Sequence, residues 1–178
     1  EMIINSDIGA TILDYANQNR YEIGKFSYSI SEEILKGEKF FINTKYDQPF
    51  SDKFFFKSAV FNLRDQSYIA KDIKIDFKKD VFGNRENDPR FKGLSSSSKN
   101  GITTINKGIF TSCKKNDRCP PWSIQADKIT YDQNKKQINY DNALVKVYDI
   151  PVLYFPKFFH PGPTVKRQSG FLVPHINN

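Results

Sequence analysis

The chain has 178 residues, 38% of them hydrophobic and 15% aromatic, with 16 Phe and 9 Tyr against one Met and one Trp; 27 Lys and Arg against 20 Asp and Glu give a net charge of +7. That length supplies one domain, or one domain with a tail, and a real core, and the aromatic weighting favours the half-buried surface of a β-sheet. No apolar run approaches the ~18 residues of a membrane-spanning helix, and no Lys/Arg block of the nucleic-acid-binding kind occurs. The cation surplus therefore points to scattered solubilising lysines or to an anionic partner such as a phosphorylated lipid.

From the start, segment 1–16 carries Ile3, Ile4, Ile8, Ile12 and Leu13 on no clean period and reads as a pair of strands. In 21–30, Phe26, Tyr28 and Ile30 alternate with Lys25, Ser27 and Ser29, the two-residue period of a half-buried strand. Segment 39–44 gives a further short strand. Segment 53–63, KFFFKSAVFNL, is apolar on both faces, as expected of a strand covered on each side. The cleanest alternation is 68–77, where Ile69, Ile73, Ile75 and Phe77 are expected on one face opposite Ala70, Asp72, Lys74 and Asp76, with Lys71 as the one intruder. Residues 80–99 then read as a long loop, because Gly83-Asn84, Asn87-Asp88-Pro89 and the serine run 95–98 supply turn chemistry.

Extended chain resumes over 102–110 and, after a loop holding Cys113 and Cys119, over 122–131. The turn-forming run 132–136 leads to a strand at 137–140, and Asp141-Asn142 reads as a second turn before a strand at 143–148. Ala70, Ile75 and Asp76 share their spacing with Ala126, Tyr131 and Asp132 and with Ala143, Tyr148 and Asp149, a weak repeat expected of stacked strand-and-turn units. These elements predict an all-β fold, an elongated, twisted double sheet of the jelly-roll kind.

Segment 142–172 holds two apolar runs, 143–148 and 152–159, broken by Pro151, Pro156, Pro161 and Pro163. Prolines this close exclude helix and leave edge strands, turns and extended connectors. Tyr154-Phe155-Pro156, followed by His160-Pro161, Pro163-Thr164-Val165-Lys166-Arg167 and Ser169-Gly170-Phe171-Leu172, resembles the junction in the OstA/LptD family of outer-membrane lipopolysaccharide-assembly proteins. Asn87-Asp88-Pro89-Arg90-Phe91-Lys92-Gly93, and Cys119-Pro120-Pro121-Trp122-Ser123-Ile124 with Ala126, resemble two further signatures of that family, in the right order along the second half of the chain.

The resemblance implies an OstA-type jelly roll, open at one edge, over residues 1–155, with 156–178 as connector and start of a transmembrane β-barrel near Phe171. It implies a domain cut from a longer protein of the Gram-negative outer membrane, with this part in the periplasm. Such a domain takes lipopolysaccharide from a periplasmic bridge protein docked on the strand edge before about Thr44. It passes the lipid to a barrel plugged by an outer-membrane lipoprotein. Lys166 and Arg167 would then meet lipid phosphates or serve as a polar connector.

Catalysis finds no support: His160 and His175 lie in a proline-rich stretch and near the last residue, and no nucleophile elbow, zinc-protease or phosphate-loop motif occurs. No enzyme, cofactor, metal or nucleic-acid partner is expected. Cys113 and Cys119 lack the further ligands a zinc site needs, which leaves two free thiols or a disulfide; the resemblance implies the disulfide. The apolar residues expected inside the double sheet are Phe54, Phe56, Phe61, Ile69, Ile73, Ile75, Phe77, Ile124, Ile129, Ile138, Val145 and Val147. A sealed core and an open trough demand the same alternation. The resemblance implies a trough for acyl chains lined by these side chains. A free-standing lipopolysaccharide-bridge module and a carbohydrate-binding β-sandwich are the alternatives that keep the fold.

Overall fold

The structure is a computed structural model that describes residues 2–48, 51–79, 87–115 and 121–161. Its elements are twelve strands: β1 (Ile3–Ser6), β2 (Ala10–Asp14), β3 (Asn19–Ile23), β4 (Lys25–Ser29), β5 (Ile34–Asn43), β6 (Lys53–Asn62), β7 (Ser67–Asp76), β8 (Arg90–Lys99), β9 (Ile102–Thr111), β10 (Trp122–Asp132), β11 (Gln137–Val147) and β12 (Ile150–Pro161). They form one open antiparallel sheet in the order β1-β4-β5-β6-β7-β8-β9-β10-β11-β12, with β2 on β3 and β3 on β5. β1 runs on into β2 and β3 into β4, so the sheet is in effect an up-and-down meander of long strands.

One row shapes this meander into two layers. Lys39, Lys57, Asp72, Leu94, Lys107, Asp127, Asn142 and Pro156 all drop out of the ladder, each at the same level of its strand, and Gly24 lies at that level between β3 and β4. Because neighbours carry the extra residue side by side, register survives: Glu38 pairs with Ser58, and Phe40 with Phe56, on either side of Lys39 and Lys57. On alternate strands the extra residue is left-handed, with φ of 55° at Lys39, 48° at Asp72, 51° at Lys107 and 54° at Asn142. An extra residue bends a strand and moves its inward face by one position. Stacked across the sheet, these bulges make a crease, and the two half-sheets fold toward each other. Phe110 of β9 and His160 of β12 accordingly meet at a ring-centroid distance of 6.3 Å. In a flat sheet those strands would lie roughly 14 Å apart. The result is the open, jelly-roll-like double sheet expected from the sequence.

The crease corrects several sequence-based expectations. In β7 the inward residues are Tyr68 and Ala70 before Asp72, and Ile73 and Ile75 after it, so Ile69 faces outward and is 66% exposed. Lys71 is therefore no intruder; it stands beside the bulge. In β6, Phe56 and Ala59 are buried while Phe55 and Val60 are exposed, so that strand is covered on one face only. Asp141-Asn142 is the crease of a continuous β11 and not a turn between two strands. The serine run 95–98 belongs to β8, where Ser96 is buried and shares a 3.1 Å hydrogen bond with the Tyr68 hydroxyl. β1 and β2 pair with β4 and β3, not with each other. β12 runs to Pro161, past residue 155, and its prolines sit on an edge strand, where a missing N–H breaks no ladder.

Inside the crease six strands, β5, β6, β7, β9, β10 and β11, set one small residue against one large one: Gly37 and Phe40, Ala59 and Phe56, Ala70 and Ile73, Gly108 and Ile105, Ala126 and Ile129, Ala143 and Tyr140. The alanines of the weak repeat, Ala70, Ala126 and Ala143, are all buried here. Space decides this pattern. A Cβ on Gly108 would lie 2.5 Å from Ile129 Cδ1, one on Gly37 2.9 Å from Phe40 Cζ, and one on Gly93 would collide with Ile105 Cγ2. On the convex side the crease carries polar links: Lys57 to Asp72 at 3.3 Å, Lys107 to Asp127 at 2.5 Å, and Asn142 donating to Asp127 at 3.0 Å. Gly108→Val is expected to lower stability by about 1–3 kcal/mol through overpacking. Ile129→Ala in the same chain should recover part of that loss, read from denaturant midpoints; strict additivity of the two changes would contradict the packing described.

Candidate functional site

The two half-sheets enclose one apolar body. Phe54, Phe56, Phe61, Ile73, Ile75, Phe77, Ile124, Ile129, Ile138 and Val145 all belong to it, with Phe56 2% and Ile129 1% exposed. Of the residues expected inside, Ile69 is on the outer face for the reason given above. Val147 keeps the inward phase but lies at the uncovered end of β11, where it is exposed. Sequence reasoning missed Phe40, Phe91, Ile105, Phe110 and Tyr140, all buried in the same body. Phe91 lay in a stretch read as loop, and Tyr140 next to a supposed turn. The signal that could have found Phe40, Ile105 and Tyr140 is the paired small residue across the crease; Phe91 and Phe110 carry no such signal.

Within this body one row runs across the sheet. Ile42, Phe54, Ile75, Phe91, Phe110, Ile124, Val145 and Leu153 are successive cross-strand partners from β5 to β12. At about 4.8 Å per strand it spans roughly 34 Å, perpendicular to the chain direction. Aromatic contacts reinforce its middle, Phe91 with Phe110 at 4.7 Å and Phe110 with Trp122 at 5.8 Å. The row is buried through β7, β8 and β9 and emerges at its far end, where Leu153 is 56% exposed. Beside it, Val147 and its partner Ile150 are exposed as well. The apolar interior is thus covered in its centre and open to solvent at the β12 edge.

The described residues of the strings that carry the family resemblance sit around this row. Pro89 is fully buried and its carbonyl accepts from the Phe77 amide at 2.9 Å. Arg90 Nη1 donates to the carbonyls of Asp88, at 3.0 Å, and of Cys113, while Asp88 accepts from the Lys115 amide at 2.9 Å and pairs with Lys79 at 3.3 Å. Burial opposes ionisation of Asp88, but those donors prevail and hold its carboxyl below the usual range. The arrangement ties β7, β8 and β9 together at one end and places Phe91 in the row. Trp122 packs on the core, and its carbonyl accepts from Thr111 Oγ1 at 2.7 Å.

Cys113 is a free thiol whose Sγ donates to the Trp122 carbonyl at 3.6 Å, so the disulfide expected between Cys113 and Cys119 finds no support. The thiol is taken up by the backbone of β10 instead. Cys119, Lys166, Arg167, Phe171 and His175 lie outside the described residues. Among the described residues, no group of three or more His, Cys, Asp or Glu could hold a metal ion, and no helix is long and apolar enough to cross a membrane.

His160 closes the interior at the other end of β12. Its Nδ1 donates to the Pro161 carbonyl at 2.7 Å, which leaves Nε2 to accept from the Tyr140 hydroxyl at 2.9 Å. Burial pushes the Tyr140 hydroxyl pKa far up, so the phenol keeps its proton.

No protein-family model matches the chain. It is 34% identical over 73 residues to the LPS-assembly protein LptD of Yersinia pestis bv. Antiqua (strain Antiqua), covering 41% of this chain and 9% of that protein. It is 35% identical over 77 residues to LptD of Pseudomonas syringae pv. tomato (strain ATCC BAA-871 / DC3000), covering 43% and 8%. With LptD of Sodalis glossinidius (strain morsitans) it is 34% identical over 76 residues, covering 43% and 9%. Over that stretch the chain is LptD-like. The match spans less than a tenth of the length of these curated relatives.

One consequence of the His160 site is a pH dependence. Burial lowers the His160 pKa from its ordinary 6.5, against a smaller upward push from its bond to the Pro161 carbonyl. The unfolded chain then binds the proton more readily, so His160 stabilises the fold fully above about pH 6.5, and this contribution is lost as pH falls through the lowered value. The thermal midpoint should drop on acidification below about pH 6.5, and His160→Phe should flatten that part of the curve. An unchanged slope in the variant would contradict the assignment.

Proposed function

We propose that the chain is a periplasmic β domain of an outer-membrane lipopolysaccharide-assembly protein, and that the row from Ile42 to Leu153 guides the acyl chains of lipopolysaccharide toward a transmembrane β-barrel. The observation that carries this reading is an apolar row that crosses eight strands and opens at the β12 edge, in a chain with LptD-like sequence. The physical need is plain. Each CH₂ kept from water is worth about 0.8 kcal/mol, so a chain of about a dozen carbons crossing bare water costs roughly 10 kcal/mol. A continuous apolar path removes that cost. No bond is made or broken along it, so the domain is a conduit and not an enzyme, and it needs no cofactor.

β1 and β2 form the opposite free edge of the sheet, with Ile3, Ile4 and Ile12 exposed. That edge suits a periplasmic bridge protein that adds a strand by main-chain hydrogen bonding. In this reading lipid enters at the β2 edge, which the row reaches from Ile42 through Tyr21 to Ile12, and leaves at β12, with the bridge at one end and the barrel and its lipoprotein plug at the other. The closely packed centre, around Phe56 and Ile75, implies that the half-sheets part at the crease when a chain passes.

Photo-crosslinkers at Phe54, Ile75 and Leu153 should capture lipopolysaccharide, whereas one at Ile69, on the same strand as Ile75 but outside the crease phase, should not. Phe56→Glu or Ile75→Glu should abolish loading. Equal capture from Ile69, or none from the row, would overturn the reading.

A further inference from the structure

The β11–β12 hairpin presents a second apolar feature that the inner row does not absorb. Tyr148 and Asp149, with φ of 46° and 64°, close it in a tight two-residue turn. In the turn and beyond it, Tyr148, Ile150, Val152, Leu153 and Tyr154 are each at least half exposed. These side chains leave by both faces. Leu153, opposite Val145, continues the inner row, while Tyr154 reaches over the outer face and donates to Asn142 Oδ1 at 2.9 Å in the crease. Val152 is the extra residue where the register shifts between Val145 and Lys146.

Two facts decide what covers this hairpin. The outer edge of β12 invites strand addition only poorly, because Pro151 and Pro156 carry no N–H to offer. A protein groove would moreover cover one face and leave the other wet. A narrow wedge with apolar side chains on both faces and the Asp149 carboxylate at its tip is matched by a medium that surrounds it, and Tyr148 at the tip and Tyr154 at the root suit the zone between water and hydrocarbon. Lys146 and Lys157 flank the wedge and complement lipid phosphates.

We propose that the β11–β12 hairpin seats in the interfacial zone of a phospholipid bilayer, with Tyr148, Ile150, Val152 and Leu153 in contact with acyl chains. The proposal does not depend on which lipid travels inside the sheet. The single tryptophan gives a reporter: Trp122 is the cross-strand partner of Val147, beside the turn.

The full chain is mixed with vesicles of phosphatidylethanolamine and phosphatidylglycerol. It should float with them, and lipids brominated along the acyl chain should quench Trp122, a readout that needs no variant. Ile150→Asp combined with Leu153→Asp should lower partitioning about tenfold or more. Ile69→Asp, which charges an equally exposed isoleucine on the outer face of β7, should leave it unchanged. Absence of flotation and quenching overturns the proposal, as does an equal loss with Ile69→Asp. So does sedimentation showing that the paired aspartates dissolve a dimer of the chain while vesicle binding is absent.

Discussion

The crease governs this molecule. A meander of long strands left flat would expose both faces and bury little, and a twisted open sheet has no second layer of its own. One extra residue per strand, at a common level, changes that. It bends every strand together, keeps every ladder in register, and turns two halves of one face into opposing walls. The four left-handed non-glycine residues at Lys39, Asp72, Lys107 and Asn142 each cost of order 1 kcal/mol or more of backbone strain. Burial offsets it: Phe56, Ile73, Ile129 and Tyr140 lose nearly all contact with water, at roughly 1.5–3 kcal/mol for each fully buried large apolar side chain.

The same device explains the shape of the interior. A sandwich built from two separate sheets can be sealed around its rim, whereas a folded single sheet is closed along the crease and ends in free strands at β1 with β2 and at β12. The inward row from Ile42 to Leu153 therefore has ends, and at one of them its side chains are wet. An edge that stays apolar needs a reason, since exposed strand edges invite aggregation. Pro151 and Pro156 remove the backbone donors that make such an edge adhesive, while the side chains stay available to lipid. The proposed passage along the row and the proposed seating of the hairpin would thus use neighbouring parts of one open end.

Much of the fold was legible in the sequence, and the crease explains where legibility stopped. The strands from Ser67 to Asp76 and from Trp122 to Asp132 were found because their apolar residues dominate whichever phase is assumed. Ile69 was assigned to the wrong face because a two-residue period cannot see a one-residue phase change at Asp72. Asp141-Asn142 carries the chemistry of a turn and adopts the left-handed backbone of one, yet neighbouring strands with the same bulge keep β11 continuous. The serines of β8 lack any apolar period; their place is set by Tyr68 and Ile105 on the flanking strands, which no local pattern records. The strings that resemble the OstA/LptD family agree in family with the LptD-like match over about two fifths of the chain. What they carry locally is architecture: Pro89 and Arg90 brace three strands, and Phe91 and Gly93 fill the row and the crease. The Cys113 thiol could not be placed from spacing, because its partner is a backbone carbonyl.

The central claim is that the acyl chains of lipopolysaccharide run along the inner row and not over the outer face of the sheet. Intermolecular nuclear Overhauser effects between the acyl methylenes of bound lipopolysaccharide and the isoleucine methyl groups test it most directly. The account predicts contacts to Ile42, Ile75 and Ile124, with Ile69 and Ile109 silent on the outer face; contacts to Ile69 and Ile109 with none to Ile75 and Ile124 would contradict it.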